Sequence, residues 1–277
     1  MTQILRIARF SLTSADPDRL ASFYVAALGF EPIGVWRCDA GPYGVQGQAT
    51  VHRLRLGKQE IELVGFDHAG APYPDGSTSH DGWFQHLALV TTNMAAAHAR
   101  LSAHDGWRSI TDGGQPVLLP ASSGGVTAFK FRDPEGHPLE LLAFPANKAP
   151  PHWADARGPS PCVGIDHSAI AVADGARSLD FYEGLGLSVS ARSLNQGPAQ
   201  EALDAAPGVT VAVTGLAPDS VPPHLELLAY RTPAIRPGIA GPADIACTRS
   251  VLVPRDPGDA GRILLDPDGH RLMLATG

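Results

Sequence analysis

The chain has 277 residues, 44% of them hydrophobic and 18% charged, with a formal net charge of -7; that is enough for two ordinary globular domains or one large one. Lysine and arginine form no cluster, which argues against a nucleic-acid partner. No apolar run approaches the ~20 residues a bilayer span needs, and the start of the chain lacks the apolar core of a signal peptide, so a cytoplasmic protein with no membrane partner is expected.

In chain order, residues 4–67 read as a first module. Its strands are expected near 5–13, 31–37, 49–57 and 59–65. A helix near 17–27 is opened by Asp16 as cap and Pro17 as first helical residue. A second module, about 83–145, begins with the run Trp83–Val90, continues into a helix near 93–103, and closes on two strands flanking a turn at 133–137. Residues 146–161 are rich in Ala and Pro and read as a linker. The domain partition that follows is 1–148, a linker at 149–161, and 162–277. A third module, about 162–231, ends on a strand containing His224-Leu225-Glu226-Leu227-Leu228. A short fourth, about 242–277, is expected to open on Asp244–Thr248 and to lack a helix. Cys38, Cys162 and Cys247 are odd in number and scattered, as reduced thiols are.

The modules repeat one another. Arg9–Asp16 and His167–Asp174 both alternate like a strand and end on an Asp suited to cap a helix. Each is followed by Phe-Tyr (Phe23-Tyr24, Phe181-Tyr182) and by a Leu-Gly stop (Leu28-Gly29, Leu185-Gly186). Asp133-Pro134-Glu135-Gly136-His137-Pro138-Leu139-Glu140-Leu141 matches Asp266-Pro267-Asp268-Gly269-His270-Arg271-Leu272-Met273-Leu274, turn chemistry between two strands.

The opening and closing strands of each module offer one position apiece toward a shared cavity. These are Arg9 and Glu62, His86 and Glu140, His167 and Glu226, and Asp244 and Met273. A lone histidine on an apolar strand is more often a satisfied core or surface residue than a ligand; recurrence at equivalent positions is what gives the set weight. His137 and His270 read as surface residues of the turns, and the remaining histidines follow no repeat. The Phe-Tyr pairs read as helix packing, and Ser122–Gly125 as a hairpin loop rather than a phosphate cradle. Trp36, Trp83, Phe129 and Gln200 are candidate cavity-wall positions.

On the Asp-Pro-Glu-Gly-His-Pro-Leu-Glu-Leu and Asp…Phe-Tyr…Leu-Gly elements, the chain resembles the vicinal oxygen chelate superfamily of glyoxalases, bleomycin-resistance proteins and extradiol dioxygenases. The resemblance covers nearly the whole chain, with the fourth module weakest. It implies an α+β fold of four βαβββ modules pairing into two cupped mixed sheets. Which modules pair decides the site. Pairing two with three collects His86, Glu140, His167 and Glu226, a set that suits one divalent ion (Ni, Zn, Co, Mn or Fe(II)) and resembles that of glyoxalase I. Pairing one with four gathers Arg9, Glu62, Asp244 and Met273, a metal-free counterpart in which a guanidinium held by two carboxylates replaces the ion. This arrangement, which fused glyoxalases in the superfamily resemble, is the one expected; the dioxygenases pair neighbouring modules.

The expected function is a metal-dependent lyase or isomerase of glyoxalase or epimerase type. It acts on a small-molecule substrate with vicinal oxygens through an enediolate, with Glu140 or Glu226 moving the proton. One alternative is an Fe(II) extradiol-type ring-cleaving dioxygenase using His86, His167 and one Glu. Another is a non-catalytic, bleomycin-resistance-like binding protein. Four modules in one chain are compatible with a monomer or a homodimer.

Overall fold

A computed structural model describes residues 2–276. Module one supplies β1 (Ile4–Thr13), α1 (Pro17–Phe23), β2 (Glu31–Asp39), β3 (Gln48–Leu56) and β4 (Gln59–Phe66). Module two supplies β5 (Gln85–Thr91), α2 (Met94–Ser102), β6 (Arg108–Ser109), β7 (Val117–Leu118), β8 (Thr127–Arg132) and β9 (Pro138–Ala143). A short helix α3 (Pro151–Ala154) interrupts the expected linker. Module three follows with β10 (Cys162–Ala171), α4 (Gly175–Gly184), β11 (Ser188–Gln196), α5 (Pro198–Asp204), β12 (Thr210–Ala217) and β13 (His224–Thr232). Module four has β14 (Thr248–Pro254), β15 (Ile263–Leu265) and β16 (Arg271–Leu274), with only a single 3-10 turn where the other modules carry a helix. Among the described residues no helix is long and apolar enough to cross a membrane.

The strands form two mixed sheets. One runs β15-β16-β14-β1-β4-β3-β2; the other runs β11-β12-β13-β10-β5-β9-β8-β6, with β7 on β8. Modules one and four therefore share one sheet, and modules two and three the other. In every module the first strand lies parallel to the last (β1/β4, β5/β9, β10/β13, β14/β16), and the modules meet through antiparallel first strands, β1 with β14 and β5 with β10. Each strand sends alternate side chains to opposite faces. Phe10 and Leu12, Leu87 and Leu89, and Ile165 and Ile170 join one buried cluster that also takes Leu20, Leu101 and Tyr182 from α1, α2 and α4. His86 and Glu140 are thereby left for the other face.

The repeated turn motifs tie α1 to module two and α4 to module four. Asp133 is fully buried. Its Oδ1 accepts from the backbone N–H groups of Glu135, Gly136 and His137, and its Oδ2 from the Tyr24 hydroxyl. His137 bridges Asp133 Oδ2 at 2.8 Å and the Thr13 carbonyl at 2.9 Å. In the second half Asp266 accepts from Tyr182 and the His270 backbone, and the His270 ring reaches the Ala171 carbonyl. His137 and His270 are thus buried structural bridges, 1% and 7% exposed, not the surface residues their turn positions suggested. Gly136 is fixed by geometry: its φ is +102, and a Cβ there would come within 2.8 Å of the Tyr73 side chain.

Module four departs from expectation at its start. Asp244 precedes the strand and caps a turn, accepting from the backbone N–H groups of Gly241 and Ala71. Register identifies the true counterpart of His86: Ala169 faces His86 across β10/β5, and Ser11 faces Arg249 across β1/β14. The Pro- and Gly-rich segment before β14 had offered an earlier, false strand start.

Candidate metal centre

His86 and His167 lie on the two central strands of the second sheet, opposite Ala169 and Ala88 respectively. Both alanines are fully buried, and their small side chains leave room for two imidazoles. The rings stand edge to face with centroids 5.7 Å apart. Glu140 on β9 pairs in register with Ala88, and Glu226 on β13 with Ala169, which sends both carboxylates to the same face. His86 Nε2 lies 2.9 Å from Glu140 Oε2, and His167 Nε2 lies 3.5 Å from Glu226 Oε2. The four predicted side chains line one cavity of about 520 Å³. His86, Glu140 and His167 offer one ligand atom each within 4.8 Å of the others, as do Asp166, His167 and His224 on the other side of His167. Glu226 stands slightly apart, with 24% of its side chain exposed.

The donor set fits a divalent cation. His86 is 2% exposed, yet neither ring nitrogen has a hydrogen-bond partner. The short approach of Nε2 to Glu140 does not have the direction of an N–H···O bond. A nitrogen lone pair and a carboxylate aimed at a common third point would look this way, and a buried polar atom without a partner is otherwise costly. Burial pushes the His86 pKa down, favouring the neutral imidazole that binds metals. At His167 burial acts in the same sense, but Glu226 and Asp166 overcome it and hold the pKa up at about 9. Burial pushes Glu226 up, while His167 and His224 pull it down to about 2. Burial likewise raises Glu140, but His86 and Lys130 leave it below the usual carboxylate range.

Several residues of the cavity escaped sequence reasoning. Asp166 accepts from or shares a proton with His167 Nδ1 at 3.0 Å, and takes a 2.5 Å hydrogen bond from the indole of Trp153 on α3. A metal-binding histidine commonly has its second nitrogen held in this way. The alternation rule hid Asp166, because an irregularity between Ile165 and His167 breaks the β10 register. The His224 ring lies tilted against His167 with centroids 5.2 Å apart, and its Nε2 is 3.6 Å from Glu226 Oε1. Lys130, 4% exposed, lies directly across from Glu140 in the β8/β9 hairpin and pairs with Asp204 of α5 at 2.7 Å. Of the expected wall residues, only Gln200 lines the cavity. Phe129 belongs to the core on the opposite face, Trp83 hydrogen-bonds Ser77, and Trp36 lies on the exposed edge strand β2 beneath Arg53.

The equivalent place in the first sheet is filled by side chains. Glu62, 1% exposed, accepts from Arg9 Nε and Arg53 Nη2, each at 2.6 Å, and from the Tyr43 hydroxyl at 3.4 Å. Arg249 occupies the place of His86, its guanidinium over Tyr43 and Phe66 and bonded to the Thr13 hydroxyl. Met273 occupies the place of Glu140, by the register Val251↔Met273 against Ala88↔Glu140. The guanidinium substitution expected at Arg9 is present, but among the described residues Glu62 is the one carboxylate that holds it, not a pair with Asp244.

A family model described as Glyoxalase/Bleomycin resistance protein/Dioxygenase superfamily matches residues 6–141 and 164–274. Glyoxalase I from Zea mays superposes with a TM-score of 0.63 at 17% identity, covering 98% of this chain and 92% of that one. A mutant of the same Zea mays enzyme superposes at 0.61 and 18% identity, covering 97% and 92%. A Bacillus subtilis protein titled a putative dioxygenase aligns at 12% identity over 84% of this chain and 87% of that one, with a TM-score of 0.47, too distant to weigh on the chemistry. No curated protein matches.

Proposed function

We propose, from the premise that this chain belongs to the Glyoxalase/Bleomycin resistance protein/Dioxygenase superfamily, that it is a metal-dependent lyase or isomerase in which His86, Glu140, His167 and Glu226 hold one divalent ion. Its substrate would be a small molecule with two adjacent oxygens. The observation that carries this reading is the convergence of two imidazoles and two carboxylates from repeat-equivalent positions on one cavity, while arginines and a methionine stand in the counterpart sheet.

The ion, when bound, supplies Lewis acidity toward the two substrate oxygens. The rest falls to the chain. His86, His167 and Glu140 form the fixed part of the set, and Asp166 orients His167. Glu226, the most exposed of the four, is the carboxylate free to take a proton from the carbon beside the carbonyl. The electron pair of that C–H bond forms a C=C bond as the carbonyl π pair moves onto its oxygen, giving an enediolate; the carboxylate then returns the proton to the former carbonyl carbon while the hydroxyl proton passes to the oxyanion, leaving the new carbonyl. The apolar wall around Val126, Leu142, Val211 and Val213 limits water at that carbon.

The test is hydrogen exchange in D2O, followed by proton NMR, on α-hydroxycarbonyl compounds and hemithioacetals of 2-oxoaldehydes. Metal-loaded protein is expected to exchange the proton between the two oxygen-bearing carbons, and Glu226→Gln to lose on the order of 10²–10⁴ of that rate. Neither exchange nor isomerised product with any loaded metal would reject the isomerase. The closeness of His86, Glu140 and His167 also suits the two-histidine, one-carboxylate iron set of a ring-cleaving dioxygenase. Oxygen uptake on catechols by the Fe(II) form, without proton exchange, would select that second reading.

A further inference from the structure

We propose that Lys130 is a catalytic residue of this site, donating a hydrogen bond to the substrate oxygen that gains negative charge during proton transfer. The inference rests on the reading of the cavity given above and adds to it a group that no repeat position supplies.

Lys130 sits on β8 directly opposite Glu140. Cross-strand partners share a face, so its side chain enters the cavity that the four candidate ligands line. It is 4% exposed and its Nζ lies 2.7 Å from Asp204 Oδ1. Asp204 is itself held: its other oxygen accepts from Gln200 Nε2 at 2.8 Å and from the Tyr230 hydroxyl at 3.2 Å. The ammonium is therefore fixed in one place by one acceptor. An ammonium has three N–H donors, and among the described residues Asp204 is the one protein group hydrogen-bonded to Nζ. The remaining donors have the cavity to face. Its charge acts on the site: Lys130 draws the Glu140 pKa down and lowers that of His86.

A purely structural role is a poor explanation. Tethering α5 to β8 does not need charge, because burying an ion pair costs as much desolvation as it returns, and apolar residues of the same volume do the same work. The neighbouring α5 residue Leu203 already joins a buried apolar cluster with Ala128 and Leu142. After the bond to Asp204 two N–H donors of the ammonium remain for the substrate. An oxyanion that forms only as the carbonyl π pair moves onto oxygen gains a pre-positioned donor at that moment, which lowers the barrier rather than merely tightening binding. No proton leaves Lys130 in this step; it donates a hydrogen bond and keeps its charge. Gln200 Oε1 is buried in the same corner without a partner and is placed to accept from a substrate hydroxyl. Together they define a substrate with a carbonyl oxygen beside a hydroxyl, and an apolar remainder against Leu119 and Leu228.

The test uses nickel-loaded full-length protein and two probes. Acetohydroxamate is a bidentate anion with adjacent oxygens, and imidazole is a neutral ligand with one donor atom. Isothermal titration on wild type and Lys130→Met should show nickel content and imidazole affinity unchanged. Acetohydroxamate should bind about ten-fold or more weakly in the variant, the order that one hydrogen bond to a charged group supplies. The pair variant Lys130→Met with Asp204→Leu repeats the measurement if the single variant, with Asp204 stranded, fails to fold. Undiminished acetohydroxamate affinity with nickel retained would overturn the proposal. So would equal weakening of both probes, the mark of a structural tether, or a nickel-loaded wild type that ignores acetohydroxamate. Wild-type protein that takes up no nickel is a different failure, since it removes the metal reading itself.

Discussion

Replacing Asp133 tests the device that joins the helices to the following modules. Asp133→Ala strips the acceptor from five donors at once: three backbone N–H groups, the Tyr24 hydroxyl and His137 Nδ1. All surround a residue of zero exposure. Each stranded buried donor costs about 1–3 kcal/mol, and the losses overlap, so about 4 kcal/mol or more is expected, a large share of the roughly 5–15 kcal/mol of a folded domain. Asp133→Asn should behave differently. Its amide oxygen can keep the three backbone bonds, and its NH2 can donate to His137 Nδ1, provided that nitrogen carries no proton. His137 Nε2 must donate to the Thr13 carbonyl, so the Asn variant suits the neutral ring and the wild type the imidazolium. A loss of about 1–2 kcal/mol is expected, the price of exchanging charged hydrogen bonds for neutral ones.

The two variants separate further with pH. Burial pushes the His137 pKa down, but Asp133 more than compensates and leaves it raised. A raised folded-state pKa contributes stability that is complete below the unfolded value of about 6.5 and is lost as pH climbs through the folded value. The advantage of wild type over Asp133→Asn should therefore be complete below about pH 6.5 and shrink as pH rises through the raised folded-state value. Urea unfolding of the three proteins across that rise in pH is the assay. An Asp133→Ala variant within about 1 kcal/mol of wild type, or a wild-type advantage over the Asn variant that grows with pH, would refute the reasoning.

Two further outcomes follow from the same structure. Glu62→Ala leaves Arg9 and Arg53 facing each other without their shared acceptor; a cost of roughly 2–4 kcal/mol is expected in denaturant unfolding, toward the low end of buried-pair losses because both arginines reach solvent, with metal content unaltered. Asp166→Asn removes the carboxylate that holds His167 Nδ1 and should weaken metal affinity by about 10–100-fold, read by competition with a chromophoric chelator.

Much of the architecture was legible because the chain says the same thing several times. Strand alternation, the Asp16 and Asp174 caps and the repeated turn indicated the element order; the module pairing rested on the ligand sets and on the family resemblance, and strand order now gives it. The four site residues emerged from equivalence between repeats rather than from any single motif. Lys130 was within reach of the same logic: a hairpin closed by the turn at 133–137 sets residue 130 opposite 140, so the alternation that chose Glu140 also chose Lys130. Asp166 was not, since the irregularity before His167 has no signature in residue type. Asp244 misled because an Asp in a Pro- and Gly-rich segment suits a turn as well as a strand start, and Arg249 could be placed only by register. His137 and His270 were misjudged because a turn position was taken as a surface position, whereas these turns are buried against the preceding module.

The central claim is that one divalent ion is held between the second and third modules. Anomalous X-ray diffraction at the absorption edge of an ion soaked into the protein tests it most directly. One peak is expected in the cavity, about 2.0–2.2 Å from the Nε2 atoms of His86 and His167 and from an oxygen of Glu140, and absent in His86→Ala. A cavity without a peak, or a peak among Arg9, Glu62 and Arg249 instead, would contradict the account.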